Sequence, residues 1–88
     1  MAPKRIINIQ PKAWDDMQFW LHNDRKILNR IFDLVNAVTD NAFTGIGKPE
    51  PLKNIYKGYW SRRINDEHRL IYKVEDKEIV IISCKGHY

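Results

Sequence analysis

The sequence predicts an α+β fold in the order β-α-α-β-β-β, a helical hairpin followed by an antiparallel meander. Three observations predict it. Apolar residues recur first at helical spacing, through residue 39 or so, and later in short β-prone runs. The later runs are divided by the tight turns Asp66-Glu67 and Asp76-Lys77. The length, 88 residues, accommodates one modest core, so a single domain over residues 1–88 is expected.

Each element has its own warrant. Arg5–Ile9 is β-prone and is closed by Pro11, which is well placed as the first residue of a helix. Trp14, Met17 and Leu21 then give an amphipathic helix over Lys12–His22. Asn23-Asp24 breaks it, and Asp24 can cap the next helix. Ile27, Ile31, Leu34 and Val38 mark one face of that second helix, up to about Thr39. So short a break makes the two helices a hairpin. Trp14 and Trp20 read most simply as core. Gly45, Gly47, Pro49 and Pro51 make Asn41–Pro51 a loop, and strands follow at Tyr59–Asn65, His68–Val74 and Glu78–Cys84.

Charge narrows the function. The net charge is +4, and seven cations against three carboxylates between Lys48 and Lys73 account for all of it. Tyr56, Tyr59, Trp60 and Tyr72 are interleaved there, a pattern suited to nucleic acid, with cations for phosphate and rings for bases. A solvated basic sheet face explains composition equally well. The lone Cys84 rules out a disulfide framework and fits a reducing cytoplasm. No apolar stretch reads as a secretory signal or a membrane span, so a cytoplasmic protein without membrane contact is expected.

Four groups stand out chemically. Glu50 lies between Pro49 and Pro51, which stiffen its backbone. It is either a salt-bridge partner of Lys48 or Lys53, the reading favoured by spacing alone, or a general base. Arg62 and Arg63 point to opposite faces of a regular strand, as do His68 and Arg69. His68 shares its face with Leu70, Tyr72 and Val74, so it leans to the core. Arg69 can grip a phosphate through two parallel hydrogen bonds or pair with Glu67 or Glu75. His87 follows the last strand closely, and a histidine exchanges protons near neutrality. His22, His68 and His87 lack ligand spacing, so no metal or other cofactor is expected. Cys84 and His87 fall on opposite faces of an extended chain, which argues against a nucleophilic pair.

The segments G-K-P-E-P-L-K, G-Y-W-S-R-R-I, D-E-H-R-L-I-Y and H-Y, in that order, resemble the YoeB/Txe family of toxins within the RelE/ParE-like group of bacterial toxin–antitoxin modules. The W-D-D of the first helix matches too, and the resemblance covers nearly the whole chain. It implies a small twisted antiparallel sheet packed against the two helices. It also implies an endoribonuclease that cleaves messenger RNA in the ribosomal A site and stops translation. A cognate YefM/Axe-like antitoxin, encoded alongside, is implied as partner. A homodimer is suggested by relatives without being decided against a monomer.

By the same resemblance Glu50 is the general base, Arg69 the phosphate stabiliser and His87 the general acid, with Tyr88 serving the site. Lys48, Lys53, Arg62 and Arg63 are expected to bind flanking RNA. The expected reaction needs no metal: the 2′-hydroxyl attacks its own phosphate and leaves a 2′,3′-cyclic phosphate. At position 86, where a bulkier residue is implied, this chain has Gly86, which would loosen the approach to His87. The alternatives are a non-catalytic RNA- or ribosome-binding module, a gyrase-targeting ParE-like toxin, and an interaction protein presenting Phe19 and Trp20.

Overall fold

The computed structural model describes residues 4–53 and 58–86. Its elements are β1 (Ile6–Ile9), α1 (Pro11–Asn23), α2 (Arg25–Asp40), β2 (Glu50–Pro51), β3 (Tyr59–Arg63), β4 (Arg69–Val74) and β5 (Glu78–Ser83). The α+β class and the helical hairpin are as expected. The sheet differs in two respects.

Its five strands run in the order β1-β5-β4-β3-β2, and it is mixed rather than wholly antiparallel, because β1 lies parallel to β5. The helices and the meander between these two strands return the chain in the same direction, as a parallel neighbour requires. The second difference is β2, a two-residue strand in the segment read as loop. Pro51 has no N–H to donate, which keeps this pairing short and at the sheet edge.

The hairpin turns on one residue. Pro11 occupies the first turn of α1, where its missing N–H costs nothing. Asp24 ends α1, its N–H donating to the Trp20 carbonyl at 2.8 Å. The same residue opens α2 by accepting from the Lys26 N–H at 3.1 Å. Leu28, Ile31, Leu34, Val35 and Val38 of α2 are buried, close to the expected stripe.

On α1 the buried face is Ala13, Asp16, Met17 and Trp20, while Trp14 and Leu21 are exposed. Trp20 is therefore core and Trp14 is not. The face is chosen by polar contacts to the segment after β5, described below, as well as by hydrophobicity. The core joins these residues to Ile64, Leu70, Tyr72, Ile79 and Ile81 on one side of the sheet. A register shift at Ile71/Tyr72 keeps Tyr72 opposite Ile81 and Val74 opposite Ile79 on that side.

Candidate active site

The other side of the sheet carries the chemistry. Glu50 pairs with Ser61, Ser61 with Ile71, and Arg63 with Arg69. Paired residues share a face, and residues two apart on a strand do so as well. Strand alternation thus collects Lys48, Glu50, Leu52, Ser61, Arg63, Arg69 and Ile71 around one cleft of ≈ 220 Å³. Glu50 and Arg69 are two strands and two residues apart, a backbone separation of about 12 Å, which leaves room for a phosphodiester between their side chains.

Among the described residues Glu50 makes no salt bridge to Lys48 or Lys53, and Arg69 makes none to Glu67 or Glu75. Glu75 pairs instead with Lys73 at 3.3 Å. Glu67 approaches only His68 Nε2, at 4.0 Å. The Arg69 Nη1 donates to the carbonyls of Asn65 at 2.6 Å and His68 at 3.1 Å, which fixes the fork over the cleft.

The loop that presents Lys48 and Glu50 is held from beneath. Gly47 has φ 84°, and a Cβ there would lie 2.7 Å from Leu34 Cδ2. Its carbonyl accepts from the Arg63 N–H, locking the loop to β3. Lys48 itself sits at φ 50°, a left-handed conformation that costs a lysine of order 1 kcal/mol.

Arg62 corrects an expectation. It is fully buried at 0% exposure and cannot bind RNA. Alternation along β3 sends Arg63 to the cleft and Arg62 to the helix side. There its Nη2 donates to the carbonyls of Asn41 at 2.6 Å and Thr44 at 2.9 Å, and Nη1 to that of Ile46 at 3.2 Å. Its Nε donates to Tyr72 Oη at 3.1 Å, and Tyr72 Oη donates onward to the Ala42 carbonyl at 2.9 Å. Burial pushes the Tyr72 phenol up, against the opposing pull of Arg62.

Of the other expected residues, Lys48 and Arg63 line the cleft, while Lys53 is exposed just beyond it. Tyr56, Lys57, His87 and Tyr88 lie outside the described residues. His68 leans to the core as expected, its ring edge-on to Trp20 at 4.8 Å. Gly86 is not loose: its carbonyl accepts from the Arg69 N–H at 2.8 Å and its N–H donates to His68 Nδ1 at 2.9 Å. Cys84 beside it is buried, and its thiol is pushed up to about 12 by burial first and by the charge of Asp16 second.

Three cleft residues escaped the sequence reading. Leu52, Ser61 and Ile71 carry no charge to attract notice, yet the alternation that groups Glu50, Arg63 and Arg69 includes them. Among the described residues no group of three or more His, Cys, Asp or Glu side chains is arranged to hold a metal ion.

Comparison with known proteins gives one consistent result. A family model described as "YoeB-like toxin of bacterial type II toxin-antitoxin system" matches residues 9–88. Toxin YoeB of Mycobacterium bovis is 49% identical over 84 residues, spanning 96% of this chain and 99% of the relative. The YoeB dimer from Staphylococcus aureus superposes with a TM-score of 0.90 at 46% identity, over 98% of this chain and 100% of that one. The toxin in a YoeB-YefM complex from the same organism gives 0.87 at 45% identity, over the same shares of the two chains. The chain belongs to the YoeB-like toxins of bacterial type II toxin–antitoxin systems.

Proposed function

We propose that this toxin is a ribosome-dependent endoribonuclease that cleaves messenger RNA in the A site and so inhibits translation in the cytoplasm. The observation that carries the reading is the cleft itself. A carboxylate and an arginine line it diagonally across β3, with Lys48 and Arg63 beside them and no ion pair among the described residues to neutralise them.

In this reading Glu50 takes the proton from the 2′-hydroxyl. The 2′-oxygen attacks phosphorus, and Arg69 faces the extra negative charge of the pentacoordinate phosphate. The bond from phosphorus to the 5′-oxygen breaks, and His87 hands that oxygen a proton. The products are a 2′,3′-cyclic phosphate and a 5′-hydroxyl, and DNA is inert because it lacks the nucleophile. Tyr88 orients the acid or stacks on a base. Lys48, Arg63 and Lys53 hold flanking phosphates. A cognate YefM-like antitoxin is the partner and a homodimer the free form, by analogy with the Staphylococcus aureus assemblies.

The test is 5′-end mapping on a reporter message in a translating extract. Ribosome-dependent cuts within codons are expected, each reduced about 10²–10⁴-fold by Glu50→Gln or by His87→Ala. Intact message on stalled ribosomes, the same for wild type and both variants, overturns the reading in favour of a non-catalytic ribosome-binding module.

A further inference from the structure

The segment just before His87 is held by side chains that the cleft does not use. The Cys84 N–H donates to Asp16 Oδ2 at 2.9 Å, and the Cys84 carbonyl accepts from Trp20 Nε1 at 2.9 Å. Lys12 Nζ donates to the Lys85 carbonyl at 3.2 Å while paired with Asp16 at 2.6 Å. Gly86 donates to His68 Nδ1 and accepts from the Arg69 N–H. Asp16 and Trp20 are each only 6% exposed, and the His68 side chain 18%.

These contacts exceed what ending a strand requires. β5 stops at Ser83, and chain beyond a last strand commonly frays. Here a buried carboxylate, an indole, an ammonium and an imidazole are all spent on the backbone of three consecutive residues. Gly86 bonds to two neighbours, and one of them is Arg69, the cleft arginine. Gly86 makes these bonds at φ 90°, a left-handed conformation that glycine adopts without strain.

We infer that His68 is a positioning residue. By accepting the Gly86 N–H through Nδ1 it ties the peptide that leads into residue 87 beside the backbone of Arg69. Nδ1 can accept only if the imidazole is neutral with its proton on Nε2, the nitrogen nearer Glu67. The inference rests on the reading of His87 as general acid. His68 does not touch RNA; it acts through the next peptide.

The test compares His68→Phe, which keeps a ring against Trp20 but removes the acceptor, with His68→Asn, whose Oδ1 can replace Nδ1. Both go into ¹⁵N-labelled protein for Gly86 amide exchange and into single-turnover cleavage on programmed ribosomes. His68→Phe should lose Gly86 protection and cleave about 10²-fold more slowly at saturation, with ribosome affinity unchanged. His68→Asn should restore protection and most of the rate. Should His68→Phe not fold, His68→Gln, whose amide falls at the Nε2 position, takes its place with the same expectation. Undiminished cleavage without Gly86 protection, or protection that survives His68→Phe, overturns the inference. Full cleavage by His87→Ala overturns the acid reading and the role of His68 with it, while wild-type dependence on His87 with no effect of His68→Phe overturns the positioning role alone.

Discussion

The guanidinium of Arg62 and the phenol of Tyr72 meet inside the protein, Nε to Oη at 3.1 Å, and together serve four carbonyls of the segment Asn41–Ile46. That segment leads into the loop carrying Lys48 and Glu50. The pair therefore connects the core to the cleft without entering it.

Arg62→Ala should destabilise the fold by roughly 3 kcal/mol, because it empties a fully buried position and takes the donor from Tyr72 and from three carbonyls of the loop. Arg62→Lys should recover little, since one ammonium cannot reproduce the fork. Urea denaturation measures both, and a stability equal to wild type for either variant contradicts the buried network.

Arg63, the next residue, should behave in the opposite way. Its side chain is exposed over the cleft, so Arg63→Ala should change stability by no more than about 0.5 kcal/mol. It should weaken RNA engagement and lower the salt dependence of binding by about one phosphate contact. Binding titrations on ribosomes over a range of salt concentrations test this.

Two glycines with similar φ should respond differently to alanine. Gly47→Ala meets Leu34 Cδ2 at 2.7 Å and should cost about 2 kcal/mol or more, with lost activity as the loop shifts. Gly86→Ala meets nothing within 4 Å among the described residues and should cost only the left-handed backbone strain, about 1 kcal/mol. Thermal unfolding of the two variants side by side decides it; equal losses rule out the close approach at Gly47.

The Cys84 thiol sits at about 12 against an ordinary 9.0. A raised value means that the folded state holds this proton more tightly than the unfolded chain. Its contribution to stability is complete below pH 9.0 and is lost as the pH rises toward 12. The native thiol should resist alkylation at about pH 8 and react quickly once the protein unfolds in urea. From pH 9 upward the urea midpoint of wild type should fall more steeply than that of Cys84→Val. Parallel slopes exclude the effect.

Much of the cleft was legible because strand alternation is a local rule. Glu50 on a stiff segment and Arg69 on the opposite face from His68 both follow from spacing and chain stiffness. Which of Arg62 and Arg63 turned inward was not legible, since an arginine reads as surface until the carbonyls that receive it are known. Those carbonyls lie 16 to 21 residues upstream. Trp14 and Trp20, both read as core, parted for a similar reason: Trp20 is buried and Trp14 is exposed. Hydrophobic spacing favours the stripe Trp14-Met17-Leu21, but the sheet takes the stripe containing Asp16, whose carboxylate has a backbone N–H to meet at Cys84. The direction of β1 was hidden because its partner lies some 70 residues away. β2 was hidden because P-E-P looks like pure loop.

The position of β5 between β1 and β4 has a consequence for how the toxin comes into being. Synthesis proceeds from the first strand, yet that strand has no neighbour to pair with until residues 78–83 have been made. The Gly86 carbonyl and N–H that dock beside Arg69 arrive later still. A growing chain holds Glu50 and Arg69 well before it can close the sheet around them. The order of translation thereby delays assembly of the finished cleft until nearly the whole chain has been made.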